Sequence, residues 1–111
     1  FMGLVGSEMC IRDRGKDGHF ASLFPDMINQ YEAFDINASP KILTTPPKGN
    51  PLIPRITMNL SLIMESLNII LLVKGKAKQN IFEKAQKEKK LPIHHLIKNR
   101  NRDFFIEKVN D

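Results

Sequence analysis

The sequence predicts an α/β chain built on a parallel sheet. Three observations carry that expectation. The run "NIILLV", Asn68 to Val73, is continuously apolar and ends just before Lys74 and Gly75, the pattern of a strand buried on both faces. Helical periodicity lies on either side of it, which is the helix–strand–helix alternation of a layered α/β fold. The chain has 111 residues, 41% apolar and 26% charged, enough for one modest core and unlike a disordered polymer.

In chain order, "GKDGHFASLFP" at residues 15–25 opens as a loop and leads into a short helix expected to begin near Ala21 or Ser22, with Pro25 ending its first stretch. Residues 39–54 hold five of the seven prolines together with Gly49, and are expected to form an irregular crossing loop over the surface. A brief extended piece at Arg55 to Thr57 precedes a helix with Leu60, Ile63, Met64 and Leu67 on one face. After the "NIILLV" strand a helix is predicted from about Ala77 to Lys89, with Ile81, Phe82 and Ala85 as its apolar stripe. "LPIHHLIKN" reads as one more short helix with Pro92 in its first turn. "DFFIEKV" is compatible with either a strand or a helix.

Charge narrows the function classes. The formal net charge is +5, and its excess sits in the C-terminal third: Lys74 to Asp111 has eleven Lys or Arg against five Asp or Glu, whereas residues 15–73 have four against five. Most of these lysines fall on the wet face of the predicted helix, with no aromatic residues interleaved as a nucleic-acid stacking platform requires. A solvated face is the expectation, without nucleic acid. No apolar stretch is long enough to span a bilayer and no secretory pattern opens the chain, so a cytoplasmic protein without membrane attachment is expected. The single cysteine, Cys10, has no Cys or His at metal-ligand spacing, which argues against a disulfide scaffold and a zinc site.

Two segments offer chemistry. "LLVKGKAK" puts Gly75 at the carboxyl end of the buried strand and Lys78 at the opening of the next helix, where free N–H groups and a cation suit an anion such as a sugar phosphate. Spacing alone does not choose Lys78 over Lys74 or Lys76. In the first segment, Asp17, Gly18 and His19 place an imidazole behind two glycines, where a neutral His19 can accept a proton and Asp17 can orient it.

These segments carry a resemblance. "GKDGHFASLFP" is similar to the signature G-x-G-x-D-G-H-x-A-S-L-F-P of the 6-phosphogluconolactonase family, and "PRITMNL" followed by "LLVKGKAK" resembles that family's R-[IV]-T block and its apolar strand ending in G-x-x-K. The resemblance implies a Rossmann-like parallel-sheet sandwich with helices on both faces, of which this chain would be the C-terminal part. It implies a monomer that hydrolyses a small sugar-phosphate lactone, 6-phospho-D-glucono-1,5-lactone, to 6-phosphogluconate in the oxidative pentose phosphate pathway, without metal or organic cofactor. His19 would then be the base and Asp17 its orienting partner. Gly18 would let the loop approach the sugar and Lys78 would hold the phosphate; Arg55 is the weaker substrate-binding candidate, since an arginine of that block can serve the fold instead. Glucosamine-6-phosphate deaminase, of the same superfamily, shares Asp-Gly-His and G-x-x-K but continues A-F-N-E-P; Phe24 stands here where that pattern has its Glu, which favours the lactonase. His94 and His95 match no functional position of the family.

The sequence also departs from the family. Its Gly-Gly-[ST]-Pro loop and Asp-Glu-Arg motif do not occur, and Asp13 stands where an apolar strand should end in Gly. "LVGSEMCIRDR" resembles a translated sequencing adaptor, so residues 1–14 are expected to be foreign and unstructured and residues 15–111 to be the family-like portion. Two consequences are expected: a "NIILLV" strand short of neighbours, and a marginal, aggregation-prone and inactive polypeptide. From a different class, a short basic protein binding RNA or an acidic partner through Lys74 to Lys108 would instead show salt-sensitive affinity.

Overall fold

A computed structural model describes residues 8–12, 17–66, 68–99 and 104–109. Its order is β1 (Glu8–Arg12), a single 3-10 turn (Pro25–Met27), α1 (Tyr31–Phe34), β2 (Ile42–Lys48), β3 (Ile53–Met58), α2 (Leu60–Ile63), β4 (Asn68–Lys74), α3 (Lys76–Ala85), α4 (Pro92–Lys98) and β5 (Phe104–Val109). The main sheet has the order β1-β4-β5 and is parallel throughout, with Glu8 opposite Asn68 and Ile69 opposite Phe104. β2 and β3 form a separate antiparallel hairpin.

β4 is the centre of the parallel sheet. Ile69, Leu71 and Val73 point into the core at 3% exposure or less, while Asn68, Ile70 and Leu72 on the other face are only half-buried. Against the sealed face gather Phe20, Leu23, Leu60, Ile63, Phe82, Ile93 and Leu96. The apolar stripe of α3 is present as expected, with Phe82 and Ala85 buried and Ile81 half-buried. α4 begins at Pro92, whose fixed φ suits a first helical turn.

Several expectations change. Glu8–Arg12, expected to lack structure, is the strand that flanks β4; with β5 it gives the "NIILLV" segment a neighbour on each side, satisfying the ladder groups that would otherwise be unpaired. Residues 1–7 and 13–16, and with them Asp13 and Gly15, lie outside the described residues. The helix expected from Ala21 is instead a tight turn, because Ala21 takes a left-handed φ of 50° and the Leu23 N–H donates back to the Phe20 carbonyl. Pro25 starts a 3-10 turn rather than ending a helix.

The Pro-rich crossing loop is in fact half of the β2–β3 hairpin. Its register shifts between Thr45 and Lys48, which puts Pro46 and Pro47 at the irregularity; prolines lack the N–H that a regular ladder needs and are tolerated at such a bulge. The helix after Asn59 is a single turn ending at Ile63, and Leu67 lies outside the described residues. β5 settles the open choice for "DFFIEKV" as a strand.

Candidate active site

Because β1 and β4 run parallel as neighbours, the chain leaves both strands at the same end of the sheet. The segment leading to Asp17 and His19 follows one of them; Gly75 and α3 follow the other. Ligands in open α/β sheets gather at that carboxyl end.

The loop is held from four directions. The Gly18 carbonyl accepts the Ile93 N–H of α4 at 2.9 Å. Phe20 and Leu23 are fully buried pegs in the core. The Ser22 N–H donates to Thr57 Oγ1 of β3 at 3.1 Å, and Phe24 lies beneath the Arg55 guanidinium, 5.9 Å from its ring centre. A left-handed Ala21 costs about 1–2 kcal/mol; anchors on both sides over-determine the turn and let that strain persist. Gly18 has a packing reason of its own, since its φ is +73° and a Cβ there would stand 3.2 Å from Leu91 Cβ.

Within this frame Asp17 and His19 meet. Asp17 Oδ1 accepts both the His19 backbone N–H at 3.2 Å and a hydrogen bond from His19 Nδ1 at 2.7 Å. An ionised carboxylate can only accept, so in this contact Nδ1 is the donor, and a neutral imidazole held this way presents its Nε2 lone pair to a reactant. The His19 side chain retains 18% of its exposure, which shelters the ring while leaving it reachable. The Phe24 ring stacks on it with centroids 4.5 Å apart and planes 25° from parallel.

Beside the dyad a cleft of about 370 Å³ opens between the loop and the hairpin tip, lined by Asp17, Phe24, Asp26, Lys48, Gly49 and Leu52. The Lys48 ammonium is paired with the Asp26 carboxylate across it. Arg55 shapes the tip: its Nε donates to the Lys48 carbonyl at 2.8 Å and its Nη2 to the Pro51 carbonyl at 2.7 Å. The guanidinium is thus committed to backbone and aromatic contacts in the hairpin.

Lys78 sits in the first turn of α3, behind Gly75, whose φ is 89°. Lys74 and Lys76 are exposed, whereas Lys78 is half-buried and its side chain, among the described residues, makes no hydrogen bond or ion pair. The structure joins Asp17, Gly18 and His19 in one loop and links Arg55 to it through Phe24; Lys78 stands apart from that loop in sequence, in the first turn of the helix that follows β4. Among the described residues no three His, Cys, Asp or Glu side chains cluster as a metal would need.

Comparison with known proteins decides the relationship. The family described as glucosamine-6-phosphate isomerases/6-phosphogluconolactonase matches residues 8–106. The chain belongs to this family. It is 33% identical over 85 residues to a 6-phosphogluconolactonase of Caulobacter vibrioides, covering 76% of this chain and 36% of that protein. It is 28% identical over 104 residues to the 6-phosphogluconolactonase of Thermotoga maritima, covering 91% and 43%. The crystal structure of a Thermotoga maritima 6-phosphogluconolactonase superposes with a TM-score of 0.67 at 26% identity, over 94% of this chain and 43% of that one. A putative 6-phosphogluconolactonase from Neisseria gonorrhoeae shares the fold, with a TM-score of 0.76 at 23% identity over 94% and 45%. The chain therefore spans 36–43% of the length of the two relatives. The fold class expected from the sequence, a partial parallel-sheet α/β domain of this 6-phosphogluconolactonase family, is the one observed.

Sequence reasoning missed Phe24 as a partner of His19 and Asn59 as the buried junction of the hairpin base. His94, left without a role, is a strut: buried, with Nδ1 hydrogen-bonded at 2.7 Å to the Ala85 carbonyl at the end of α3. His95 packs edge-on to Phe34 and bonds the Lys89 carbonyl through Nε2 at 2.8 Å. Burial holds its pKa below the ordinary 6.5; the Lys89 contact opposes this, and His94 and Lys98 reinforce it.

Proposed function

We propose that the protein is a cytoplasmic hydrolase of a small sugar-phosphate lactone, 6-phospho-D-glucono-1,5-lactone, acting as a monomer without nucleic acid or membrane as partner. The observation that carries this reading is the 2.7 Å contact between Asp17 and His19 Nδ1 in a chain of this family. Nε2 takes a proton from water, the resulting hydroxide attacks the lactone carbonyl, and the ring C–O bond breaks as the proton returns to the departing ring oxygen. Asp17 orients the imidazole, Gly18 shapes the loop, and Lys78 holds the phosphate at the opening of α3. Arg55 acts through the loop. Phe24 stacks its apolar ring on His19 at the place where deaminase-type chemistry would require a carboxylate, which supports ester hydrolysis over that alternative.

Because the chain spans 36–43% of its relatives, the test uses a chimera in which residues 17–109 replace the matching segment of the Thermotoga maritima enzyme. Lactone hydrolysis is expected, with His19→Ala lowering kcat about a hundredfold or more at similar KM and Lys78→Ala mainly raising KM. A folded chimera that does not hydrolyse the lactone, or one in which His19→Ala is harmless, refutes the reading.

A further inference from the structure

We infer that Phe24 is a positioning residue for His19, and that Arg55 positions Phe24, so that the hairpin sets the plane of the imidazole. Among the described residues a single acceptor, Asp17 Oδ1, fixes one edge of the His19 ring, and the Asp17 side chain is 43% exposed. One hydrogen bond leaves the ring free to tilt about the axis through that edge. The Phe24 face, 4.5 Å away and 25° from parallel, removes this freedom. Phe24 can do so because it is itself fixed: it is 5% exposed and carries the Arg55 guanidinium above it at 5.9 Å.

Arg55 is immobilised in turn by the Lys48 and Pro51 carbonyls. Gly49 makes room for it, since a Cβ there would fall 2.9 Å from Arg55 Nη2. Lys48 closes the circuit by pairing with Asp26, in the 3-10 turn that directly follows Phe24. The hairpin tip and the dyad loop are therefore one mechanical unit, and the charged groups around the imidazole in it are Asp17 directly, Arg55 across the Phe24 ring, and the Asp26–Lys48 pair across the cleft.

This inference rests on His19 being the base of the proposed reaction, but its test needs no lactone. Nitrogen-15 spectra of the His19 imidazole in the full chain report which ring nitrogen bears the proton. Wild type is expected to show the Nδ1–H tautomer with one ring environment. Phe24→Leu should raise the minor tautomer roughly two- to tenfold, the worth of an aromatic pair. Phe24→Tyr, which keeps the ring face, should restore the wild-type signal, and Arg55→Met should fall between. A folded Phe24→Leu or Arg55→Met chain with the wild-type tautomer ratio, or a Phe24→Tyr chain no better than Phe24→Leu, overturns the inference. Should these spectra behave as expected while the chimera fails to hydrolyse the lactone, the fault lies with the assigned substrate and the positioning stands.

Discussion

Replacing Asn59 with Ala should be among the most damaging single changes in this chain. Asn59 is fully buried and uses both ends of its amide. Its Oδ1 accepts from the Leu62 N–H at 2.9 Å, capping α2, and from the Lys41 N–H at 3.2 Å. Its Nδ2 donates to the Glu32 carbonyl at 2.8 Å and the Ser39 carbonyl at 2.9 Å. One side chain thereby ties α1, the entry to β2, the end of β3 and the start of α2.

At about 1 kcal/mol net for each hydrogen bond the four together contribute about 4 kcal/mol. Glu32 and Ser39 are exposed, so their carbonyls can partly recover water, and roughly 3–4 kcal/mol is the expected loss. That is a large share of the ~5–15 kcal/mol by which a domain is stable. Asn59→Ser should regain about 1 kcal/mol, because a serine hydroxyl can still cap the Leu62 N–H. The assay is urea unfolding of the three proteins followed by far-ultraviolet circular dichroism. An Asn59→Ala loss below about 1 kcal/mol, or a Ser variant no better than Ala, would refute the assignment of Asn59 as the junction.

Gly18→Ala should cost about 1–2 kcal/mol for the left-handed backbone alone, with a further loss from the 3.2 Å approach to Leu91; a Tm equal to wild type in thermal melts would disprove it. His95 makes stability depend on pH. Its folded pKa lies below the ordinary 6.5, so the unfolded chain binds the proton more readily and the contribution, full above that value, is lost as pH falls through the folded pKa. Urea midpoints measured downward from neutral pH should fall less steeply for His95→Asn than for wild type, and parallel profiles would exclude this linkage.

β4, α3 and α4 were legible because each follows a simple rule: a continuous apolar run, a stripe at helical spacing, and a proline in a first turn. The hairpin was obscured by the same logic. Pro46 and Pro47 argue against a strand locally, and only pairing with β3 shows that they occupy the register shift. Ala21 hid its turn for a related reason: alanine favours helix, and the left-handed φ is imposed by the buried flanking residues Phe20 and Leu23. Asp17 and His19 are adjacent enough for their contact to be anticipated from the motif. The Phe24–Arg55 contact and the Asn59 junction join distant parts of the chain, and no periodicity announces them. Glu8–Arg12 shows the converse case, a segment of unremarkable composition that becomes a strand because β4 offers it an edge.

The hydrogen bond from Ile93 to Gly18 also fixes an order of events during synthesis. Chains emerge from the ribosome N-terminus first, at about 5–20 residues per second, so Asp17 and His19 are exposed long before α4 exists. The anchor for their loop arrives only with Ile93, and β1 must wait for a partner sixty positions further along the chain, at Asn68. Closing so long a loop makes this pairing a late step. The dyad is written well ahead of the anchor that arranges it, so a nascent chain released before Ile93 would carry the two residues without their arrangement.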